Sequence, residues 1–102
     1  MTTEQQPTDF DVQHSEDSGR GAFFVGRAHE RLAAMTYSRL APEKVIIEHT
    51  EVDASLRSVG IGRRLLDVLV AWARKTKTQV IVSCPYAKAQ FERDPSIRDV
   101  LA

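Results

Sequence analysis

The stretch VIIEHTEVDASLRSVGIGRRLLDVLVAWARKTKTQVIVSC, Val45 to Cys84, decides how the chain folds. It opens on Val45-Ile46-Ile47-Glu48-His49-Thr50-Glu51-Val52, β-branched enough for a strand. The period then changes. Ile61, Leu65, Val68, Leu69 and Trp72 recur at helical spacing, while Arg63, Arg64, Asp67, Arg74 and Lys75 take the other face. Gly60 to about Thr76 therefore reads as an amphipathic helix, and Val80-Ile81-Val82-Ser83-Cys84 as another short strand. About 25 residues separate the two strands, the length of crossover that a parallel βαβ unit requires. They are expected to lie side by side and parallel.

Working outward, Phe10 to His14 and Ala22 to Ala28 read as strands joined through a Ser15-Glu16-Asp17-Ser18-Gly19 turn. Leu32 to Leu40 alternates as a third strand, and Ala41-Pro42-Glu43 turns the chain into Val45. Four strands in a row predict an antiparallel meander. Beyond Cys84 a helical stretch runs from Pro85 to Arg93, and a second short one follows Asp94-Pro95, where Asp94 can cap and Pro95 fits the first helical position. The expected class is α/β with a mixed sheet: a four-strand meander, a helical crossover to a parallel fifth strand, then short C-terminal helices. Residues 1–8 are polar, contain Pro7 and read as a disordered tail, leaving 9–102 as the single domain.

Composition narrows function by exclusion. With 102 residues, 42% apolar and 27% charged, the chain matches an ordinary one-core domain. Its formal net charge of zero gives no bulk attraction to nucleic acid or anionic lipid. Charge is unevenly placed, however: Arg57 to Lys77 holds six basic residues against Asp67, so an anionic ligand belongs on the second half. That basic helix face lacks interleaved aromatics and reads as solvated rather than as a nucleic-acid surface. A single cysteine excludes an internal disulfide and a cysteine-rich zinc site, and His14, His29 and His49 lack helical metal-site spacing, so no metal is expected. No apolar run approaches 18 residues and the N-terminus lacks signal-peptide character, so a cytoplasmic location without membrane association is expected. An open sheet edge in so small a domain is compatible with a monomer or a weak homodimer.

The loop Arg57-Ser58-Val59-Gly60-Ile61-Gly62 follows the fourth strand just where the helix begins. Two glycines there let backbone NH groups face a ligand, a geometry that binds phosphate. Arg63 and Arg64 lie in the first turn, where the helix dipole disfavours cations unless an anion receives them, and Arg57 strengthens the same site. The other reading is a tight strand-to-helix turn with solvated arginines. A triphosphate P-loop is excluded because Gly-x-x-x-x-Gly-Lys-Ser/Thr is missing; a dinucleotide fold loses ground because position 65 is Leu and the strand ends in Ser83-Cys84 without an acidic ribose ligand.

Arg57-Ser58-Val59-Gly60-Ile61-Gly62 resembles the Arg/Gln-x-x-Gly-x-Gly/Ala signature of the GNAT superfamily of N-acetyltransferases. His49-Thr50-Glu51-Val52, Ser83-Cys84-Pro85-Tyr86 and Phe91-Glu92-Arg93-Asp94-Pro95 extend the likeness to a group of very short GNAT-like proteins, over roughly residues 10 to 102. The resemblance implies that the loop cradles the coenzyme A pyrophosphate. It also implies that acetyl-coenzyme A lies between splayed fourth and fifth strands, where a strand-four NH polarises the thioester and an amine attacks. The partners so implied are acetyl-coenzyme A and an unidentified amine acceptor.

Two departures from the superfamily pattern bear on catalysis. After the fifth strand it runs Asn-x-x-Ala-x-x-x-Tyr; here Cys84 replaces the asparagine, Ala87 fits, and Phe91 stands where a tyrosine often protonates the departing thiolate. Tyr86 can substitute as that acid, or simply pack. Cys84, beside a helix N-terminus at a strand's carboxyl end, is either a nucleophile or a small buried hydrophobe. His49 is expected on the face shared by Val45 and Ile47, where it would act as base for Cys84 or for the amine, or sit as a satisfied core histidine. Three classes of function stay open: acetyl transfer, directly or through Cys84; coenzyme A binding or sensing with little turnover; and an interaction domain whose glycine loop is only structural.

Overall fold

The computed structural model describes residues 11–27 and 29–102; the expected tail 1–8, Phe10 and Ala28 lie outside them. The described strands are β1 (Gln13–Asp17), β2 (Arg20–Arg27), β3 (Glu30–Ala41), β4 (Lys44–Val52) and β5 (Gln79–Val82), in one sheet of that spatial order. The first four pair antiparallel and β4 pairs parallel with β5, the predicted mixed topology. A 3-10 turn, Ala54–Val59, leads into helix α1 (Ile61–Thr76); after β5 come α2 (Pro85–Arg93) and a 3-10 segment, Pro95–Val100.

The first hairpin is tighter than predicted. Ser15 to Asp17 pair with Ala22, Gly21 and Arg20, leaving only Ser18 and Gly19 as the turn, at φ 55° and 80°. Two consecutive left-handed residues match the twist of the flanking strands, which is why a two-residue loop closes here in place of five.

One face of the sheet carries the core. Phe23, Met35, Tyr37, Val45 and Ile47 are buried against Ile61, Leu65, Leu66 and Leu69 of α1, with Ala87 and Phe91 of α2 in the same cluster. Fully burying each such aliphatic side chain stabilises the fold by roughly 1.5–3 kcal/mol. At the β1 end, His14 stacks on Phe23 at 4.0 Å between ring centroids and meets Trp72 of α1 edge-on at 5.0 Å. The Tyr37 hydroxyl donates to Glu16 Oε1 at 2.7 Å and lies 2.6 Å from His14 Nε2, and Arg39 binds both Glu16 oxygens. Gly21 is required beside this cluster, since a Cβ there would stand 2.3 Å from the Tyr37 ring.

Besides Leu40, which is unmatched near the β3–β4 turn, two extra residues interrupt the ladders. Leu32 has no counterpart between the pairs Val25–Ala33 and Gly26–Arg31, and Glu48 none between Tyr37–Ile47 and Thr36–His49. Each bulge shifts the inward and outward alternation by one. The first puts Arg31 over the Phe24 ring, 4.2 Å from its centroid, on the face away from α1. The second sets up the site. No helix of the described residues is long and apolar enough to cross a membrane.

Candidate active site

Strands β4 and β5 are ladder partners only as far as Ile47 and Val82. The Ile47 carbonyl then accepts from both Ser83 NH (2.9 Å) and Cys84 NH (3.1 Å), and the strands part. Glu48 to Val52 continue beside β3 without a β5 partner, while the other chain turns into α2 with Pro85 at its first position. A wedge thus opens at the carboxyl end of a parallel pair, where open α/β sheets bind ligands.

The Glu48 bulge decides which side chains face the wedge. Val45, Ile47, Thr50 and Val52 share the core face, opposite Tyr37, Met35 and Ala33, whereas His49 and Glu51 lie opposite Thr36 and Ala34 on the other face. The expected placement of His49 with Val45 and Ile47 is therefore corrected. Its ring is 63% exposed and sits 3.2 Å from Glu51 Oε2, not against Cys84. Thr50 takes the place beside the thiol, its Oγ1 3.1 Å from Cys84 Sγ. Cys84 is buried, at the N-cap of α2.

The loop that feeds α1 is built by Asp53. Its carboxylate accepts from Ser55 NH at 3.0 Å and from Ser55 Oγ, which holds its pKa below the ordinary range, and its carbonyl accepts from Leu56 NH. Arg57 folds back so that Nε donates to the Val52 carbonyl at 3.2 Å, while Ser58, Val59 and Gly60 are exposed. Gly60 is left-handed at φ 73°, and α1 starts there with no side-chain cap and no acidic residue in its first turn. Its first-turn NH donors are thus left to an outside acceptor. Space above Gly60 is open, since an added Cβ would meet nothing within 4 Å; Gly62 is different, because the Tyr86 ring lies 3.0 Å from where its Cβ would be.

Arg64 is exposed, and Arg63 is half-buried: it donates to Asp67 at 2.8 Å, to Gln90 at 3.3 Å and to Asp94. Asp94 also accepts from Ser96, and these bonds pull its pKa down to about 2. Arg63 thereby ties the start of α1 to the end of α2, a placement its sequence position did not disclose.

A cleft of about 730 Å³ wraps the freed end of β4, bordered by Thr50, His49 and Glu51, by Arg57 and Tyr86 on the loop side, and by Arg31 and Thr36 across the sheet. Burial pushes the Tyr86 phenol above its ordinary pKa, so it stays protonated near neutrality and holds that proton more tightly than a free phenol. Phe91 is buried in the core and brings no hydroxyl to the cleft. Sequence reasoning missed Thr50 as the thiol's neighbour, together with Arg31 and Thr36. Their one early signal was that Thr50 sits inside the His49–Val52 motif.

A splayed parallel pair, with a glycine-started helix after the inner strand, matches what is known of one family. The sequence profile described as GCN5-related N-acetyl-transferase matches residues 22–100. The chain belongs to the GCN5-related N-acetyltransferase family. Among solved structures, a GCN5-like protein from Staphylococcus aureus shares 30% identity at TM-score 0.69, over 88% of this chain and 87% of that one. Ribosomal-protein-S18-alanine N-acetyltransferase from Escherichia coli (18%, TM-score 0.61) and ribosomal-protein-alanine N-acetyltransferase from Brucella melitensis biovar Abortus 2308 (18%, TM-score 0.56) share the fold. They match over 76% and 69% of this chain, which in turn spans about half (53%) of each. No curated protein sequence matches it significantly.

Proposed function

We propose that the chain binds acetyl-coenzyme A in the wedge between β4 and β5 and transfers its acetyl group to an amine. The parting of the strands after Ile47, with α1 opening uncapped at Gly60 beside it, is the observation that carries this reading. The exposed backbone of Ser58 to Gly60 and the first NH groups of α1 would hold the pyrophosphate, with Arg57 and Arg64 on its flanks. Arg63 would act at one remove, by fixing α1 against α2.

In direct transfer, the amine nitrogen attacks the thioester carbonyl carbon, the C–N bond forms and the C–S bond breaks. The amine proton leaves to His49, which Glu51 orients, and the coenzyme thiolate takes a proton from Tyr86. Most of the acceleration is then positioning within the wedge. The alternative route passes through Cys84: its sulfur attacks the thioester carbonyl, the C–S bond to coenzyme A breaks and the coenzyme leaves as its thiol with the proton given up by Cys84. The amine then attacks the new thioester, its proton returning to the Cys84 sulfur as that C–S bond breaks. Incubation with acetyl-coenzyme A and no acceptor separates the two by intact mass. A gain of one acetyl group that is absent in Cys84→Ala supports the covalent route; an unmodified chain that still acetylates amines supports direct transfer.

The buried, hydroxyl-free Phe91 at the usual acid position favours a second reading, a coenzyme A binding or sensing module with little turnover. Tight binding without product from any amine would support it.

A further inference from the structure

Two hollows meet on the face of the sheet away from α1. The cleft at β4 includes Arg31 and Thr36, and the same two residues border a second hollow of about 370 Å³ that reaches Glu48, Arg20, Ala22 and Asp17. The two hollows, separate but with Arg31 and Thr36 on the border of both, together span β4, β3, β2 and β1 as an interrupted trough. Strands lie about 4.8 Å apart, so three spacings give roughly 14 Å, the length of about four extended residues. Tyr86 of α2 and Arg57 border the trough at the β4 end.

Shape and charge say what fits. Small-molecule sites enclose most of their ligand, whereas here the flanking side chains stand in solvent: Arg20 is 79% exposed, His49 63% and Glu51 75%. A free small amine would touch only the β4 end. A polyamine calls for surplus carboxylate, yet the borders carry Arg57, Arg31 and Arg20 as well as Glu51, Glu48 and Asp17. Small side chains, Ala22 and Thr36, separate these charged positions and leave room for a main chain.

We infer that the acceptor is an extended polypeptide, its reacting amine at His49 and Glu51 and its next residues laid across β3, β2 and β1. The inference rests on the acetyl-transfer reading and adds the class of acceptor. It applies equally to a chain N-terminus or a lysine, the same amine chemistry from two sources.

The test is a length series with full-length protein and acetyl-coenzyme A: alaninamide, then di-, tetra- and hexapeptide amides beginning with alanine and lacking lysine. The expected result is a rise in kcat/KM of roughly tenfold or more up to about four residues, then a plateau, as one or two added hydrogen bonds would give. An N-blocked hexapeptide with one central lysine distinguishes the lysine source. On the coenzyme-loaded protein, unlabelled hexapeptide should shift the amides of Ser15, Ala22 and Thr36, a readout that needs no turnover. Equal kcat/KM for alaninamide and hexapeptide, or peptide shifts confined to β4, overturns the inference. Failure of coenzyme A itself to shift the glycine-loop amides is a separate outcome, because it removes the acetyl-transfer reading on which the inference stands.

Discussion

Gly21 and Gly60 are both constrained, for different reasons that mutation separates. At Gly21 a Cβ would collide with the Tyr37 ring, itself 1% exposed and wedged between Phe23 and Trp72. Gly21→Ala should therefore destabilise by about 1–3 kcal/mol, read from the midpoint of denaturant unfolding. At Gly60 space is open but φ is 73°, so Gly60→Ala should cost about 1 kcal/mol through backbone strain alone, with the Tyr37 cluster unchanged by NMR. His14 adds a pH dependence. Burial against Phe23 and Trp72 lowers its pKa from 6.5, outweighing the nearby Glu16 carboxylate. A depressed histidine favours the neutral form in the fold, so its contribution is full above about 6.5 and is lost as pH falls below that value. The Glu16 carboxyl, held to about 2 chiefly by Arg39, contributes fully above 4.5 and is lost only as pH falls from there toward 2. Thermal melts should show His14→Gln removing the slope just below pH 6.5 and Glu16→Gln the slope in the more acidic window.

Among the elements, one guanidinium ties the end of α2 to α1, beside the packing of Ala87 and Phe91 in the shared core and of Tyr86 at Gly62. Arg63 reaches Asp67 on its own helix and Gln90 and Asp94 at the far end of α2. Arg63→Ala should raise hydrogen exchange across Pro85–Arg93 while leaving β2 and β3 protected, and Arg63→Lys should not restore protection, because an ammonium cannot reach three acceptors with a planar fork. How much of this was legible in the sequence follows from what each feature leaves behind. The change from strand to helical period at Gly60 and the Asp94-Pro95 cap are local, and both stand where they were read. The bulge at Glu48 left no trace, because Glu48, His49, Thr50 and Glu51 are all polar and no apolar residue among them reports which face is inward. His49 was consequently assigned to the wrong face and Thr50 overlooked. Arg63 looked like an anion ligand because its two acidic partners on either helix are 4 and 31 residues away, and only folding brings the distant one to it.

For the molecule as a whole, five strands and two helices suffice to build the wedge, the uncapped helix start and the trough, all on or beside the free half of β4. On the proposed reading, an acyl donor and an acceptor would meet there from opposite faces of one strand. That economy makes the account vulnerable to a single experiment: titration of acetyl-coenzyme A into the labelled protein, followed through backbone amide shifts. The account predicts saturable shifts centred on Ser58 to Arg64 and on Ser83 to Ala87, with β1 undisturbed. Amides that do not move at millimolar ligand, or that move only away from the β4–β5 wedge, would contradict it and leave the glycine loop as a turn.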